Sequence, residues 1–240
     1  MESYVKAGIY VPSYHRSNVI KTYNLLENCT YVVRESERQK YLDAGIREND
    51  LWSVEDDLIN SVDKVFWYII KNSPENVICI CDDDFDDFQY MLDFTYACER
   101  DKHLITAELE RQMQLIYDLG IGFGFLQPNA IPYSYISEFA FKAIAGAVKF
   151  INKEAFKAEY DPLVPKNFDI DIILQELMKN RITLSPRYFY DKSIIDRNAG
   201  GNSEKNRQDQ LDSLKNMKIK WGKYFEYNEK KNKPAIKVKR

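Results

Sequence analysis

"NVICICDDDFDDF", residues 76–88, decides how this chain is read. Its first part, NVICIC, is short, apolar and β-forming on both alternating faces, the pattern of a strand buried in the middle of a sheet. Five aspartates then fall within six positions, 82–87. That much negative charge at the end of a buried strand is costly unless something cationic collects there. If the backbone stays extended, Asp82 and Asp84 point to one side and Asp83 to the other. Two carboxylates on one side suit a hard divalent cation, Mn2+ or Mg2+, with coordination positions left for phosphate oxygens and water.

Upstream, the pattern alternates. KAGIYVPSY reads as a first strand ended by a proline turn, and NVIKTYNLLEN as a helical stretch. CTYVVRES is a second strand, ERQKYLDAGI a helix with Gly45 near its end, and LWSV a third strand. LINSVDKVFWYIIKN has apolar positions at helical spacing, with Asp56 or Asp57 as its cap. Strand and helix alternating over the first 90 residues predict a mostly parallel α/β sheet flanked by helices. Beyond the aspartates, helices are expected over 89–101 and 108–119. GFGFLQP and GAVKFINKEAF read as further strands, DIILQELMKN as a helix, NAGGNSEKN (198–206) as a loop, and 207–216 as a last helix.

In an open parallel sheet, ligands gather beyond the carboxyl ends of the strands, where the aspartates sit. A calcium loop fits poorly: Asp87 stands where a glycine is needed, and a strand precedes the cluster where a helix is needed. An aspartyl-phosphate enzyme would carry its DxD on the first strand. Taken alone, a DxD after a strand reads as a solvated acidic loop. GIGFGFLQP is no dinucleotide fingerprint, because no GxGxxG leads from strand to helix.

At 240 residues and 28.3 kDa, with 45% apolar and 30% charged residues, the chain has the composition of a globular protein with a sizeable core. No apolar run approaches the roughly 20 residues of a membrane span. The N-terminus lacks the features of a signal peptide, so a cytoplasmic protein with no membrane partner is expected. Its four cysteines form no CxxC pair and its two histidines lie far apart, which argues against zinc. The net charge of −3 conceals ten Lys/Arg against two Glu from Lys215 to Arg240, a basic tail suited to a polyanion.

IYVPSYHRS, VVRESE, the DDDF run and NFDIDIILQEL, in this order over roughly residues 5 to 180, together resemble the GT-A class of nucleotide-sugar-dependent glycosyltransferases. VPSYHRS, VVRESE…KY, DDDF and NAGGN…R…KWGKYF are most similar to the TET/JBP-associated phage glycosyltransferases, which modify hydroxymethylated pyrimidines in DNA. The resemblance implies a GT-A-like (Rossmann-like) catalytic domain over 1–190 and a loop, helix and basic tail over 191–240. It implies that Pro12, Ser13, Tyr14 and Arg16 line the nucleotide pocket, with Arg34 and Glu35 near the base or ribose. Arginines there also suit stacking on a base or pairing with phosphate. Asp82 and Asp84 would hold the metal, and Asp83 the ribose. The later acidic motif places Asp169 as general base with Asp171 beside it, although Phe168 stands where the class often has glutamate. Both aspartates equally suit helix capping. Gly200 and Gly201 would wrap the pyrophosphate, with Arg197 and Arg207 flanking. A third metal ligand is left open among Asp191, Asp196 and Asn198.

The expected activity is transfer of a sugar from a UDP-sugar to a hydroxymethyl base of DNA. The alternatives are the same fold with a protein, lipid or glycan acceptor, or a non-catalytic nucleic-acid-binding module.

Overall fold

The computed structural model describes residues 5–84, 86–92, 95–128, 136–192, 207–228 and 233–239. Its frame is four parallel strands: β1 (Ala7–Pro12), β2 (Cys29–Arg34), β3 (Leu51–Val54) and β4 (Val77–Cys81). They lie in the order β3-β2-β1-β4, with Ile9 of β1 between Cys29 and Cys79. Helix α1 (Arg38–Asp43) joins β2 to β3, and α2 (Val62–Asn72) joins β3 to β4. All five residues of β4 are buried, which is why VICIC shows no polar face.

Two expected helices do not form. Residues 18–28 hold only a 3-10 turn, Thr22–Asn24, and the chain enters and leaves this stretch through left-handed residues, His15 and Asn28. The helix expected over 89–101 is replaced, among the described residues, by two antiparallel strands, β5 (Asp87–Leu92) and β6 (Thr95–Glu99), whose Phe, Tyr and Thr content favours a pleated surface. The next helix, α3 (Lys102–Asp118), starts earlier than expected because Asp101 caps it, accepting from His103 N and Leu104 N. Helix α2, by contrast, starts later than expected, at Val62, because Asp56–Ile59 forms a separate 3-10 turn and neither Asp56 nor Asp57 caps it.

GFGFLQP divides into β7 (Phe123–Phe125) and β8 (Gln127–Pro128), followed by β9 (Phe139–Ala140) and β10 (Val148–Asn152). β10 inserts between β4 and β7 and runs antiparallel to both, completing a six-stranded sheet that is otherwise parallel. Helix α4 (Phe168–Lys179) then precedes β11 (Ser185–Pro186), β12 (Phe189–Lys192) and α5 (Arg207–Trp221). A terminal hairpin, β13 (Phe225–Asn228) and β14 (Lys233–Ile236), follows. β12 joins β5, β6 and β8 in a second sheet, so the expected boundary at 190/191 falls inside a strand.

The core has two layers. Ile9, Val33 and Cys79 pack with Ile105, Leu109 and Met113 of α3 on one face of the sheet. Tyr10, Val32 and Ile80 pack with Phe66 and Ile69 of α2, Ile173 of α4 and Met217 of α5 on the other. α5 is fixed to α4 by a buried carboxylate. Asp171 accepts from Trp221 Nε1 (2.7 Å), Lys220 Nζ (2.9 Å) and Gln175 Nε2 (2.8 Å). Asp171→Ala should therefore lower stability by about 1.5–3 kcal/mol, since it strips charged hydrogen bonds from buried partners. Urea unfolding, with a shifted midpoint and unchanged slope, would check this. Among the described residues no helix is long and apolar enough to cross a membrane.

Candidate functional site

From β1 the chain passes to β2 on one side, while β4 lies on the other, so the loops leaving β1 and β4 diverge. In open α/β sheets ligands bind at such a switch point, at the carboxyl ends of the strands. Ser13, Tyr14, His15 and Arg16 leave β1; Asp82, Asp83 and Asp84 leave β4. Hydrogen bonds knit the two loops together. Ser13 Oγ donates to Asp83 Oδ2 at 2.5 Å, and Tyr41 OH donates to Ser13 Oγ at 2.8 Å. Arg16 Nη1 lies 2.5 Å from Asp83 Oδ1 and 2.8 Å from Asp84 Oδ2. The Lys21 amide donates to the Asp83 carbonyl, and its ammonium pairs with Asp86. Burial pushes the Asp83 carboxyl upward, opposed by Arg16 and Ser13.

Pro12 ends β1 opposite Val32, and the Ser13 amide continues that ladder to the Val32 carbonyl at 3.0 Å. Tyr14 stacks on His15, with ring centroids 3.8 Å apart, and the Arg34 guanidinium lies 3.9 Å from the Tyr14 ring centre. Arg34 Nε is buried without a hydrogen-bond partner. Glu35, expected near the base, is exposed; the acid that meets this loop is Glu37. Glu37 is buried, with Oε1 3.3 Å from His15 Nε2 and Oε2 accepting from the His15 amide.

A second acidic group forms around Asp82. Its amide donates to the Ala147 carbonyl at 3.0 Å. Its carboxyl is pushed up to about 6, first by burial and then by Asp84, Asp83 and Asp169, against the opposing pull of Lys149. Asp169, in the first turn of α4, is raised by burial and likewise opposed by Lys149. Asp191, on β12, is pushed up to about 7 by burial, against the Ala147 amide and Lys149. Lys149 itself is buried and donates to the Gly146 carbonyl at 2.9 Å. Thus three carboxyls, at the end of β4, in α4 and on β12, all feel the charge of one ammonium from β10.

Several sequence expectations meet here and others do not. Ser13, Arg16, Asp82, Asp83, Asp84 and Asp169 come together. Asp171, expected beside Asp169 as a second catalytic carboxylate, instead faces α5 through Trp221 and Lys220. Gly200, Gly201, Asp196, Arg197 and Asn198 lie outside the described residues, and of Arg207 only its place at the start of α5 is described. Lys149 was not foreseen, and Glu37 and Tyr41, both within VVRESE…KY, had been given no role. The one signal for Lys149 was a lysine between Val148 and Phe150 in a strand otherwise reading as core.

The donor chemistry is that of a hard cation. Among the described residues no three His, Cys, Asp or Glu side chains are placed to hold a metal by themselves. Asp82 and Asp84 fit the sparser demand of Mg2+ or Mn2+, one or two carboxylates completed by phosphate oxygens and water. With Arg16 on Asp84, a cation entering there competes with a guanidinium.

No family model matches the chain, and no curated protein matches it in sequence. Solved structures do. A mannosyltransferase from Pyrobaculum calidifontis, in complex with GDP-Man and Mn2+, superposes with a TM-score of 0.56 at 12% identity, over 82% of this chain and 59% of that one. Glucosyl-3-phosphoglycerate synthase from Mycobacterium tuberculosis, in complex with Mg2+ and UDP, gives 0.49 at 8% identity, over 97% and 87%. The chain therefore spans about three fifths of the mannosyltransferase it resembles. At these identities the likeness is one of architecture: the chain has a GT-A-like α/β fold.

Proposed function

We propose that the chain is a divalent-metal-dependent glycosyltransferase taking its sugar from a UDP-sugar. The observation that carries this reading is the acidic end of β4 at the sheet's switch point, joined to the β1 loop through Ser13 and Arg16. Asp82 and Asp84 are the residues that would hold Mn2+ or Mg2+. When bound, the metal supplies positive charge to the diphosphate as it leaves. Arg16 is poised beside the same phosphates, and Tyr14 with Arg34 offers a stacked platform for the base. Asp169 takes the proton of the acceptor hydroxyl; burial raises that carboxyl and Lys149 opposes the rise.

For the acceptor, the reading is a hydroxymethylated pyrimidine in DNA. Its support is the sequence resemblance, together with exposed Lys215, Lys218 and Lys223 on and after α5 in a segment with ten Lys/Arg against two Glu. A base in a duplex must leave the stack before its substituent enters a closed site, though a hydroxymethyl in the major groove is reached with less disruption. Transfer to saccharides, lipids or proteins but to no hydroxymethyl DNA would replace this acceptor and leave the donor reading standing.

Calorimetric titration of UDP with Mn2+, with chelator, and with Asp84→Ala tests the donor site. Binding that needs both the metal and Asp84 is expected. No UDP binding under any metal condition would overturn the UDP assignment. Arg16→Gln should raise affinity for Mn2+ alone by about two- to five-fold, the worth of a partly exposed ion pair of about 0.5–1 kcal/mol. The same change should weaken UDP binding, because the phosphates lose a cation.

A further inference from the structure

Asp191 belongs to the second sheet, yet it is tied to the end of β4. It is fully buried at 0% exposure on β12. Its Oδ2 accepts from the Ala147 amide at 3.0 Å, and its Oδ1 has no hydrogen-bond partner. Ala147 passes the contact on, since its carbonyl accepts from the Asp82 amide, also at 3.0 Å. One residue earlier, the Gly146 carbonyl holds Lys149 Nζ at 2.9 Å, while the Gly146 amide donates to the Leu126 carbonyl at 2.7 Å. Two consecutive peptides thus connect Asp191, Asp82 and Lys149.

The fit at Gly146 is close. A Cβ at this position would lie 2.3 Å from Asp191 Oδ1, far inside any real contact, and the obstacle is a buried carboxyl with little room to withdraw. The sequence therefore carries a glycine where the Asp191 side chain rests against the backbone. A buried carboxyl with one oxygen unpaired is destabilising, and such a group persists where its position serves a site.

From this geometry we infer that Asp191 is a positioning residue, which fixes the Asp82 backbone through the Ala147 peptide and so sets where the Asp82 carboxylate stands at the end of β4. The consequence for the ligand rests on the proposed donor site; the mechanical link does not. A β12 held in place by Asp191 couples the second sheet to the strand end that carries the aspartates. Loosening it leaves the Asp82 amide without a fixed acceptor.

Two readouts on Asp191→Ala, Gly146→Ala, Asp191→Asn and the double alanine variant decide the matter. The first is native-state amide hydrogen exchange in the ligand-free protein, comparing the Asp82 amide with amides of α3. Asp191→Ala and Gly146→Ala should speed exchange at Asp82 on the order of tenfold relative to α3, whereas Asp191→Asn, which keeps an acceptor for Ala147, stays near the parent. The double variant should be no worse than either single one, because the added methyl no longer meets a carboxyl. The second readout is metal-dependent UDP affinity, expected to fall by about 10–100-fold in the two alanine variants and to be retained in Asp191→Asn, the range for outer-shell partners.

Exchange at Asp82 that is unchanged, or that rises only in step with α3, would overturn the inference. Unchanged UDP affinity in Asp191→Ala, where the parent binds UDP, would overturn it equally. A parent that binds no UDP sinks the proposed donor, and the exchange data then decide the link alone. Should Asp191→Ala fail to fold, Gly146→Ala is measured in its place, with the same two expected results and the same two results against the link.

Discussion

Asp82→Asn is expected to abolish metal-dependent UDP binding while making the folded protein more stable at neutral pH. The loss should exceed the roughly 10–100-fold that removal of an outer-shell partner costs, because Asp82 is proposed to touch the metal itself. The gain in stability comes from the burial of a charged group. Burial, and after it Asp84, Asp83 and Asp169, push the Asp82 carboxyl up to about 6 against the pull of Lys149. Between the unfolded value near 3.9 and that folded value, the folded chain holds a proton that the unfolded chain has released. The contribution of Asp82 to stability is therefore present at low pH, declines as pH rises from about 4 to 6, and is level above. An amide at this position has no proton to lose, so Asp82→Asn should gain most over the parent above pH 6 and nothing below 4. Metal binding follows the opposite course in the parent. The cation takes the deprotonated carboxyl, so affinity should fall as pH drops below about 6. Paired calorimetry and urea unfolding at pH 4 and pH 8 check both halves. A variant less stable than its parent at pH 8 would contradict the burial argument.

What the sequence revealed follows from which interactions are local. β1, β2 and β4 were legible because a parallel strand buried on both faces reads as an apolar run, and VICIC and IYVP do so without help from partners. The direction of β10 was not legible, since GAVKFIN has the same pattern whichever way it runs. β5 and β6 read as helix because they are short and their neighbour in the sheet, β12, lies about 100 residues later. The same distance in sequence hid the site's other half. The cluster 82–84 announces itself, but Lys149 gains meaning only when β10 arrives beside it, and nothing before β12 is in place singles out Asp191 from Asp196 and Asn198. Asp169 and Asp171 show the limit from the other side. Two residues apart on one helix they stand about 200° apart around its axis, so both do not face one site. Only the position of Trp221 says which of them looks towards α5.

Asp169→Asn should separate chemistry from binding. If Asp169 takes the acceptor proton, its amide should lower kcat by about 10²–10⁴-fold, the usual share of a general base, while UDP affinity stays within a few-fold of the parent. The position is suited to the role. Asp169 stands in the first turn of α4, where burial raises its carboxyl and Lys149 and the positive helix end oppose that rise. Its side is only partly covered, unlike that of Asp171, so an acceptor can reach it. A hydroxyl activated there attacks the anomeric carbon directly, from the face opposite the leaving diphosphate, and the product should carry the inverted configuration. Proton NMR of the glycosylated product reads that configuration without further assumption. Retention of configuration, or an Asp169→Asn enzyme with unaltered kcat, would remove Asp169 from the chemistry. The carboxyl would then be left as one member of the charge cluster around Lys149, and the donor site at Asp82 and Asp84 would stand or fall on its own titration.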